Sequence, residues 1–256
     1  DLVLDLHASF RSGLLALANP GGIRIGFAHA KELNTFFQHV KLKTDPHAPH
    51  AVDQNMVFAD HLGCTPEPAD FAVVTGSKER DSARRFLRDS GIGENERFVY
   101  ANPAARWESK FWTVEAWARF VDLVTARSGC ATVFGGSPDD VPYIDCITER
   151  TSGRAVTAAG RLGLGESTAL LEAAHVYVGV DSGPMHIAAF TGTRVIALFG
   201  PTDPAKVGPY GCGQVVVRRE ALTCLGCRKR SCADRVCLEG LAADQVAEEA
   251  VRTLGE

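Results

Sequence analysis

Two short apolar runs in the C-terminal half of the chain, Val176–Val180 and residues 195–199, constrain the fold most strongly. Each run is rich in β-branched residues, which is typical of a strand buried on both faces of a parallel sheet. The residues between them predict a tight turn at 181–184, a short helix over 185–191 and a glycine stop at Gly192. A strand, a turn, a helix and a second strand in this order form one unit of a parallel α/β sheet.

The start of this short helix is the first candidate site. Ser182 and Gly183 are suitable caps, and Pro184 fits the first helical position. The backbone N–H groups and the helix dipole at such a point favour the binding of a phosphate group. A lone histidine in a first helical turn is usually structural, but here it lies close to this anion site. We therefore expect the following residues to line the site: Asp181, Ser182, Gly183, His186 and, from the end of the next strand, Thr202.

The rest of the chain repeats the alternation of strands and helices. Further strands are predicted at residues 1–6, 23–27, 71–74, 97–101, 131–134, 155–157 and 215–217, and residues 28–50 are predicted to be mostly loop. Helices are predicted at 9–18, 50–63, 77–90, 113–126, from 137 onward, at 166–174 and at 242–254. The pattern indicates a doubly wound parallel sheet, and Gly91-Ile92-Gly93 is the candidate linker between domains 1–92 and 93–256.

Composition limits the classes of function. A chain of 256 residues, 45% hydrophobic and 23% charged, is typical of a globular protein with one or two domains. The net charge of −4 argues against nucleic-acid binding through a global positive field. No apolar run reaches membrane-spanning length and no signal peptide opens the chain, so we expect a cytoplasmic protein. The chain begins at Asp1 inside a predicted buried strand, and we expect that an N-terminal piece is missing.

Two further polar turns follow predicted strands. In sheets of this kind, ligands bind at the carboxyl ends of the strands. Arg106 and Lys110 could neutralise a diphosphate there, or they could remain solvated surface cations. Asp139 and Asp140 follow a glycine pair and could hold ribose hydroxyls, although complementing the dipole of the next helix is the favoured interpretation for each residue alone.

Four of the eight cysteines form the cluster Cys224-x2-Cys227-x4-Cys232-x4-Cys237. This spacing could hold zinc or an iron–sulfur cluster, and the basic residues between the cysteines would favour thiolates. Only the first spacing is typical of a metal site, so four free thiols or disulfide pairs remain open. The expected reducing cytosol disfavours structural disulfides.

Three motifs coincide in the C-terminal half: Asp181-Ser-Gly-Pro-x-His186, Phe199-Gly-Pro-Thr-Asp-Pro204 and Gly208-Pro-Tyr-Gly211. They occur together with Pro103-x-x-Arg-Trp-x-x-Lys110-x-Trp112 and with two N-terminal segments, Asp1-Leu-Val-Leu-Asp-Leu-x-x-x-x-Arg-Ser12 and Arg24-Ile-Gly-Phe27. Together these motifs resemble glycosyltransferase family 9, the lipopolysaccharide heptosyltransferases, over nearly the whole chain. The resemblance implies an α/β fold of GT-B type, with two Rossmann-like domains facing across a cleft and the first of them incomplete.

The resemblance also implies an activity. The family transfers a heptose from ADP-heptose to the inner core of lipid A, with inversion at the anomeric carbon. Carried onto this sequence, Lys110 would pair with the donor phosphates, and Asp139 or Asp140 would lie near the ribose. Arg11 matches a basic position that faces the anionic acceptor, a lipid A–core saccharide. The residues that would line the donor diphosphate and sugar are Asp181, Ser182, Gly183 and His186.

The resemblance leaves the catalytic base unassigned. An inverting transfer needs a base to deprotonate the acceptor hydroxyl. The family's base is an aspartate in a Gly-rich loop that would precede Asp1, and Asp5 is only a weak substitute. We therefore expect the chain as given to bind nucleotide and to transfer sugar poorly. No cofactor is expected for catalysis, because Arg106, Lys110 and helix N-termini could offset the diphosphate charge.

Two alternatives to the heptosyltransferase interpretation stay open. One is a family member that uses another nucleotide sugar, and the other is a nucleotide-binding module without catalysis. A dehydrogenase is disfavoured because no G-x-G-x-x-G follows a predicted strand. Because the acceptor would be anchored in lipid, peripheral contact with the inner face of the inner membrane is a further hypothesis.

Overall fold

The computed structural model describes residues 1–19, 22–211 and 213–255. The chain divides into two compact units, Asp1–Asp70 and Phe71–Glu256, so the division lies earlier than the boundary between residues 92 and 93 that the sequence suggested. The reason is that the helix Ser77–Asp89 buries its apolar face in the core of the second unit. Ile92, at the suggested linker, is 1% exposed and belongs to the same core.

The described residues of the first unit form a three-stranded parallel sheet, two α-helices and a short 3-10 helix, Asn34–Phe37. Its elements are β1 (Leu2–Asp5), α1 (Phe10–Leu17), β2 (Ile23–Phe27), β3 (Val40–Leu42) and α2 (Ala51–His61). The sheet order is β1-β2-β3, and Ile25, Phe27 and Phe58 form a small core. The first two strands and both helices confirm the prediction. Residues 28–50 are mostly loop, as predicted, and also contain β3, which pairs with β2.

The second unit contains a larger parallel sheet. Its strands are β4 (Phe98–Asn102), β5 (Ala131–Phe134), β6 (Ala155–Thr157), β7 (Val176–Val180), β8 (Arg194–Leu198) and β9 (Val215–Val217). They pair in parallel in the order β6-β5-β4-β7-β8-β9. The order runs outward in both directions from the β4–β7 pair, which is the doubly wound topology that the sequence predicted.

Helices cover both faces of this sheet. They are α3 (Ser77–Asp89), α4 (Val114–Ser128), α5 (Val141–Thr148), α6 (Leu164–Ala173), α7 (Gly183–Phe190), α8 (Pro204–Val207), α9 (Val236–Glu239) and α10 (Ala243–Gly255). One buried cluster joins α4, α5 and α10 to one face, and a second joins α3, α6 and α7 to the other. The predicted α/β class is confirmed. A search of the described helices finds none with the length and apolar character needed to cross a membrane.

The predicted strand over residues 71–74 is wrong. A 3-10 turn, Pro68–Phe71, occupies the start of this stretch, and the Val73 N–H donates a hydrogen bond to the Phe190 carbonyl at 2.8 Å. Val74 is 79% exposed. An apolar, β-branched composition favours a strand only where a partner strand and a surface to pack against exist. The structure provides neither for these four described residues.

The centre of the larger sheet positions the candidate site. All five residues of β4 and all five of β7 are buried, and Asn102 at the end of β4 is in register with Gly179 in β7. The turns that follow these two strands therefore lie side by side at the carboxyl edge of the sheet. The turns after β5 and β8 flank them, because β5 pairs with β4 and β8 pairs with β7.

Candidate functional site

The turn between β7 and α7 is held from the end of β4. Asn102, 3% exposed, donates through Nδ2 to the Ala104 carbonyl at 2.8 Å and to Ser182 Oγ at 3.0 Å. Ser182 Oγ itself donates to the Val180 carbonyl at 3.2 Å. Ser182 occupies the N-cap of α7, as predicted, but its hydroxyl turns back to the strand and makes no cap hydrogen bond to the helix. In the first turn of α7, Pro184 has no N–H and the Met185 N–H donates to the Ser182 carbonyl at 3.2 Å, so the N–H of Gly183 is the one that can serve an external acceptor.

Lys110, Asp181 and Thr202 form one hydrogen-bonded cluster beside this turn. Lys110 Nζ lies 2.7 Å from Asp181 Oδ2 and 3.1 Å from the Asp181 carbonyl oxygen. Thr202 Oγ1 donates to the same Oδ2 at 2.6 Å. The side chains of Lys110 and Asp181 are 14% and 8% exposed, so each charge is compensated where water solvates it poorly. The structure thus brings together three residues that the sequence assigned to one site.

The same three residues line a cavity of about 240 Å³, which we call the Lys110 cavity. His186 reaches it from α7, and Trp107 forms part of its wall. The Trp107 ring faces two cations: Lys110 Nζ lies 4.6 Å from the ring centroid, and Arg230 Cζ lies 5.4 Å from it. These cation–π contacts help to fix the Lys110 side chain. The remaining lining residues are Asp203, Lys206, Val207 and Arg228.

A larger cavity of about 590 Å³, the Asp139 cavity, borders the same turn. Ser182 and Gly183 line it, whereas Asp181 and His186 line the Lys110 cavity. The start of α7 therefore lies between the two cavities and borders each of them. The two predicted cations of the loop after β4 are also divided between them, because exposed Arg106 lines the Asp139 cavity and half-buried Lys110 lines the other.

The two neighbouring aspartates differ in what they contact. Asp140 Oδ2 accepts hydrogen bonds from the Ser137 N–H at 2.8 Å and from Ser137 Oγ at 2.7 Å, which completes a capping box. Asp140 is therefore mainly structural. Asp139 is exposed in the cavity wall, and within the described ranges its carboxylate has no ion pair or hydrogen bond. Of the two, Asp139 is the residue available to a ligand.

Tyr100, which sequence reasoning missed, lies beneath the glycine pair. It comes from β4, stacks on Tyr177 with the ring centroids 6.1 Å apart and lines the Asp139 cavity. A Cβ atom added to Gly135 would collide with the Tyr100 ring and hydroxyl, so this position needs glycine. Burial raises the pKa of the Tyr100 hydroxyl well above its usual range, which keeps the hydroxyl neutral. In the sequence Tyr100 resembles any other strand residue, and only its contact with Gly135 in the structure indicates that it lies at the candidate site.

In the first unit, Asp5 is 5% exposed and saturated with donors. Its carboxylate accepts five hydrogen bonds, from the N–H groups of His7 and Ala8 and from the side chains of Ser12, Asn34 and Gln38. Burial raises the pKa of this carboxyl, but the hydrogen bonds, led by that of Asn34, outweigh burial and leave the pKa below its usual value of 3.8. A low pKa and occupied lone pairs disfavour Asp5 as a general base. Arg11 is exposed on α1.

The cysteine cluster does not assemble a metal site. Cys224 and Cys227 are exposed, Cys232 and Cys237 are half-buried, and all four are free thiols. Burial raises the pKa of the Cys237 thiol, and the neighbouring Cys224 and Cys227 raise it further, which disfavours the thiolate that a metal binds. Across residues 1–19, 22–211 and 213–255, no group of three or more His, Cys, Asp or Glu residues is placed to hold a metal ion. The structure gives the hypothesis of a structural metal no support.

Comparison with solved structures identifies the fold. A glycosyl transferase of family 9 from Veillonella parvula superposes with a TM-score of 0.83 at 25% identity, covering 99% of this chain and 73% of the other. The Escherichia coli heptosyltransferase WaaC superposes with a TM-score of 0.71 at 23% identity, covering 99% and 72%. These similarities confirm the predicted α/β fold of GT-B type.

Comparison of sequences identifies the family. A lipopolysaccharide heptosyltransferase 3 from Escherichia coli is 37% identical over 211 residues, which cover 79% of this chain and 60% of the relative. The core heptosyltransferase OpsX of Haemophilus influenzae is 25% identical over 214 residues, 82% of this chain and 60% of the relative. The chain thus spans about 60% of the length of these curated relatives. The model of glycosyltransferase family 9 (heptosyltransferase) matches residues 1–237, and the chain therefore belongs to this family.

Proposed function

We propose that this chain acts as a glycosyltransferase that moves a heptose from ADP-heptose to the inner core of lipopolysaccharide, with inversion at the anomeric carbon. The observation that carries the proposal is the meeting of two cavities at the first residues of α7, in a chain of this family. The Asp139 cavity, about 590 Å³, is large enough for a nucleoside, and the Lys110 cavity, about 240 Å³, suits the sugar with the phosphate that carries it. A ligand that spans both would place its diphosphate at the start of α7.

The groups around this turn suit a diphosphate. Lys110 has three N–H donors, and two of them serve Asp181, which leaves one for a phosphate oxygen. The Gly183 N–H at the start of α7 and the exposed guanidinium of Arg106 supply further donors and positive charge. Asp139, whose carboxylate has no partner among the described residues, would accept hydrogen bonds from ribose hydroxyls in the larger cavity.

The names of the relatives support the choice of substrates. Two Escherichia coli relatives at 30% and 37% identity are lipopolysaccharide heptosyltransferases 3. WaaC, which shares the fold, has been solved with ADP and with ADP-2-deoxy-2-fluoro heptose. ADP-heptose is therefore the donor to test first. The acceptor we propose is a lipid A–core saccharide at the cytoplasmic face of the inner membrane, with Arg11 facing its anionic groups.

Calorimetric titration of the 256-residue chain with ADP, UDP and GDP tests the donor. We expect ADP to bind most tightly. Asp139→Asn should weaken ADP binding by about tenfold, because it replaces a charged acceptor of ribose hydroxyls by a neutral one. Asp140→Asn is the matched control: it should lower the free energy of unfolding by about 1 kcal/mol through the lost cap and keep most of the ADP affinity.

Two results would contradict this proposal. A preference for UDP would point to another nucleotide sugar, and equal losses of ADP affinity in the two variants would remove the assignment of Asp139 to the ribose. Incubation with ADP-heptose and heptose-deficient lipopolysaccharide, followed by NMR of the new linkage, tests transfer and inversion. Weak transfer is expected of this chain, because none of its residues is assigned as the catalytic base.

A further inference from the structure

The backbone of Arg228 adopts an unusual conformation at the edge of the Lys110 cavity. Its φ angle is +59°, in the left-handed region that residues with a side chain seldom occupy. Such a conformation costs free energy and persists only where the surroundings enforce it, often at a ligand site. The Arg228 side chain lines the cavity that also contains Lys110, Asp181 and Thr202.

Hydrogen bonds on both sides enforce this conformation. The Arg228 N–H donates to the Pro201 carbonyl at 2.7 Å, and the Gly226 N–H donates to the Gly200 carbonyl at 3.1 Å. At the next two residues, Ser109 Oγ donates to the Lys229 carbonyl at 2.6 Å, and the Ser109 N–H donates to the Arg230 carbonyl at 3.3 Å. Residues 226–230, which we call the bridging segment, therefore join the turn that carries Thr202 to the turn that carries Lys110.

Three lysine and arginine side chains and two carboxylates line the Lys110 cavity, so one positive charge is in excess. Lys110 is paired with Asp181, and Asp203 Oδ1 accepts the Ala205 N–H at 3.1 Å as the cap of α8. Lys206 and Arg228 line the same cavity, and neither has an ion pair or a hydrogen bond from its side chain in the part of the chain that the structure describes. A cavity whose lining carries a surplus positive charge, with two exposed cations that have no ion pair among the described residues, favours an anionic occupant.

We propose that Arg228, assisted by Lys206, binds the phosphate that carries the transferred sugar. This inference rests on the proposed function. In the transfer, the bond between the anomeric carbon and the phosphate oxygen breaks, and its electron pair leaves with the nucleoside diphosphate. The acceptor oxygen forms the new bond to the anomeric carbon, and the acceptor proton passes to a general base. The departing phosphate gains negative charge in the transition state, so a guanidinium beside it stabilises that state more than the bound donor.

Titration calorimetry with ADP and with adenosine tests this assignment on the 256-residue chain. Arg228→Gln should weaken ADP binding about tenfold, the effect of one charge-assisted contact, and leave adenosine binding unchanged. Arg228→Gly should weaken ADP equally and be at least as heat-stable as Arg228→Gln, because glycine adopts the left-handed conformation without strain. Arg228→Lys should recover part of the affinity. Arg85→Gln, the same change at an exposed arginine on α3, is the control.

In transfer assays, Arg228→Gln should lower kcat more than it raises KM for the donor. Wild-type affinity for ADP in Arg228→Gln, or an equal loss of adenosine binding, would overturn this assignment while the proposed function stood. A loss confined to KM for the acceptor would overturn it as well, because the anion would then belong to the acceptor. Failure of the wild-type chain to bind ADP would overturn the proposed function and this inference together.

Discussion

Removing the charge of Lys110 tests whether its cluster with Asp181 is a compensated buried pair. At an effective dielectric constant of about 20, unit charges 2.7 Å apart attract each other by about 6 kcal/mol. Desolvation of the two side chains, 14% and 8% exposed, offsets part of that attraction. Lys110→Met keeps the aliphatic stem and leaves the Asp181 carboxylate without its cation. We expect it to lower the free energy of unfolding by about 3 kcal/mol.

Denaturant unfolding of Lys110→Met, Asp181→Asn and the double variant measures the coupling. The double variant should lose about 2 kcal/mol less than the sum of the two single losses. The control is the same cycle on Arg119 and Asp244, which are 2.8 Å apart but 61% and 50% exposed. Water and salt screen that pair, so we expect a much smaller coupling. Additive losses in the first cycle, or equal coupling in both, would refute the conclusion that burial sets the strength of the pair.

Two further predictions concern stability. Gly135→Ala should lower the free energy of unfolding by about 1–3 kcal/mol, because the new methyl group meets Tyr100. In the same denaturation assay, adding Tyr100→Phe should recover part of this loss, and no recovery would contradict the contact. Because the folded pKa of Asp5 lies below its usual 3.8, this carboxylate stabilises the fold above that pH, and the contribution is lost as the pH falls through the lower folded pKa. Asp5→Asn should therefore lower the free energy of unfolding at neutral pH and make its decrease below about pH 4 less steep. A pH profile of stability unchanged from wild type would contradict the stabilising role of the Asp5 carboxylate.

The centre of the larger sheet could be predicted because β7 and all but the last residue of β4 are apolar or aromatic. The predicted and observed bounds of β7 coincide, since all five of its residues are buried and no register or partner has to be known. The outer elements depend on their partners instead. β3 has only three residues, and they pair with β2, whereas the equally apolar residues 71–74 have no partner strand: Phe71 ends a 3-10 turn and residues 72–74 are irregular. Local composition does not distinguish these two cases.

The candidate site could be predicted in outline for a similar reason. Lys110 and Asp181 both follow strands of one parallel sheet, and the carboxyl ends of parallel strands meet at the same edge of the sheet, where ligands bind. The sequence could not separate Asp139 from Asp140, because only the position of Ser137 determines which carboxylate is occupied. Nor could it indicate Arg228, since a left-handed backbone at an arginine depends on hydrogen bonds to a turn some 27 residues earlier.

The position of Trp107 has a spectroscopic consequence. Of the three tryptophans in the chain, Trp112 and Trp117 are 1% and 0% exposed, whereas Trp107 is half-buried in the wall of the Lys110 cavity. Indole fluorescence responds to charge and water near the ring, and the Trp107 ring faces the ammonium of Lys110. A ligand that moves Lys110 away from the ring would change the fluorescence of Trp107, whereas the fluorescence of buried Trp112 and Trp117 would stay constant. The chain thus carries its own optical reporter of occupancy, readable without a label.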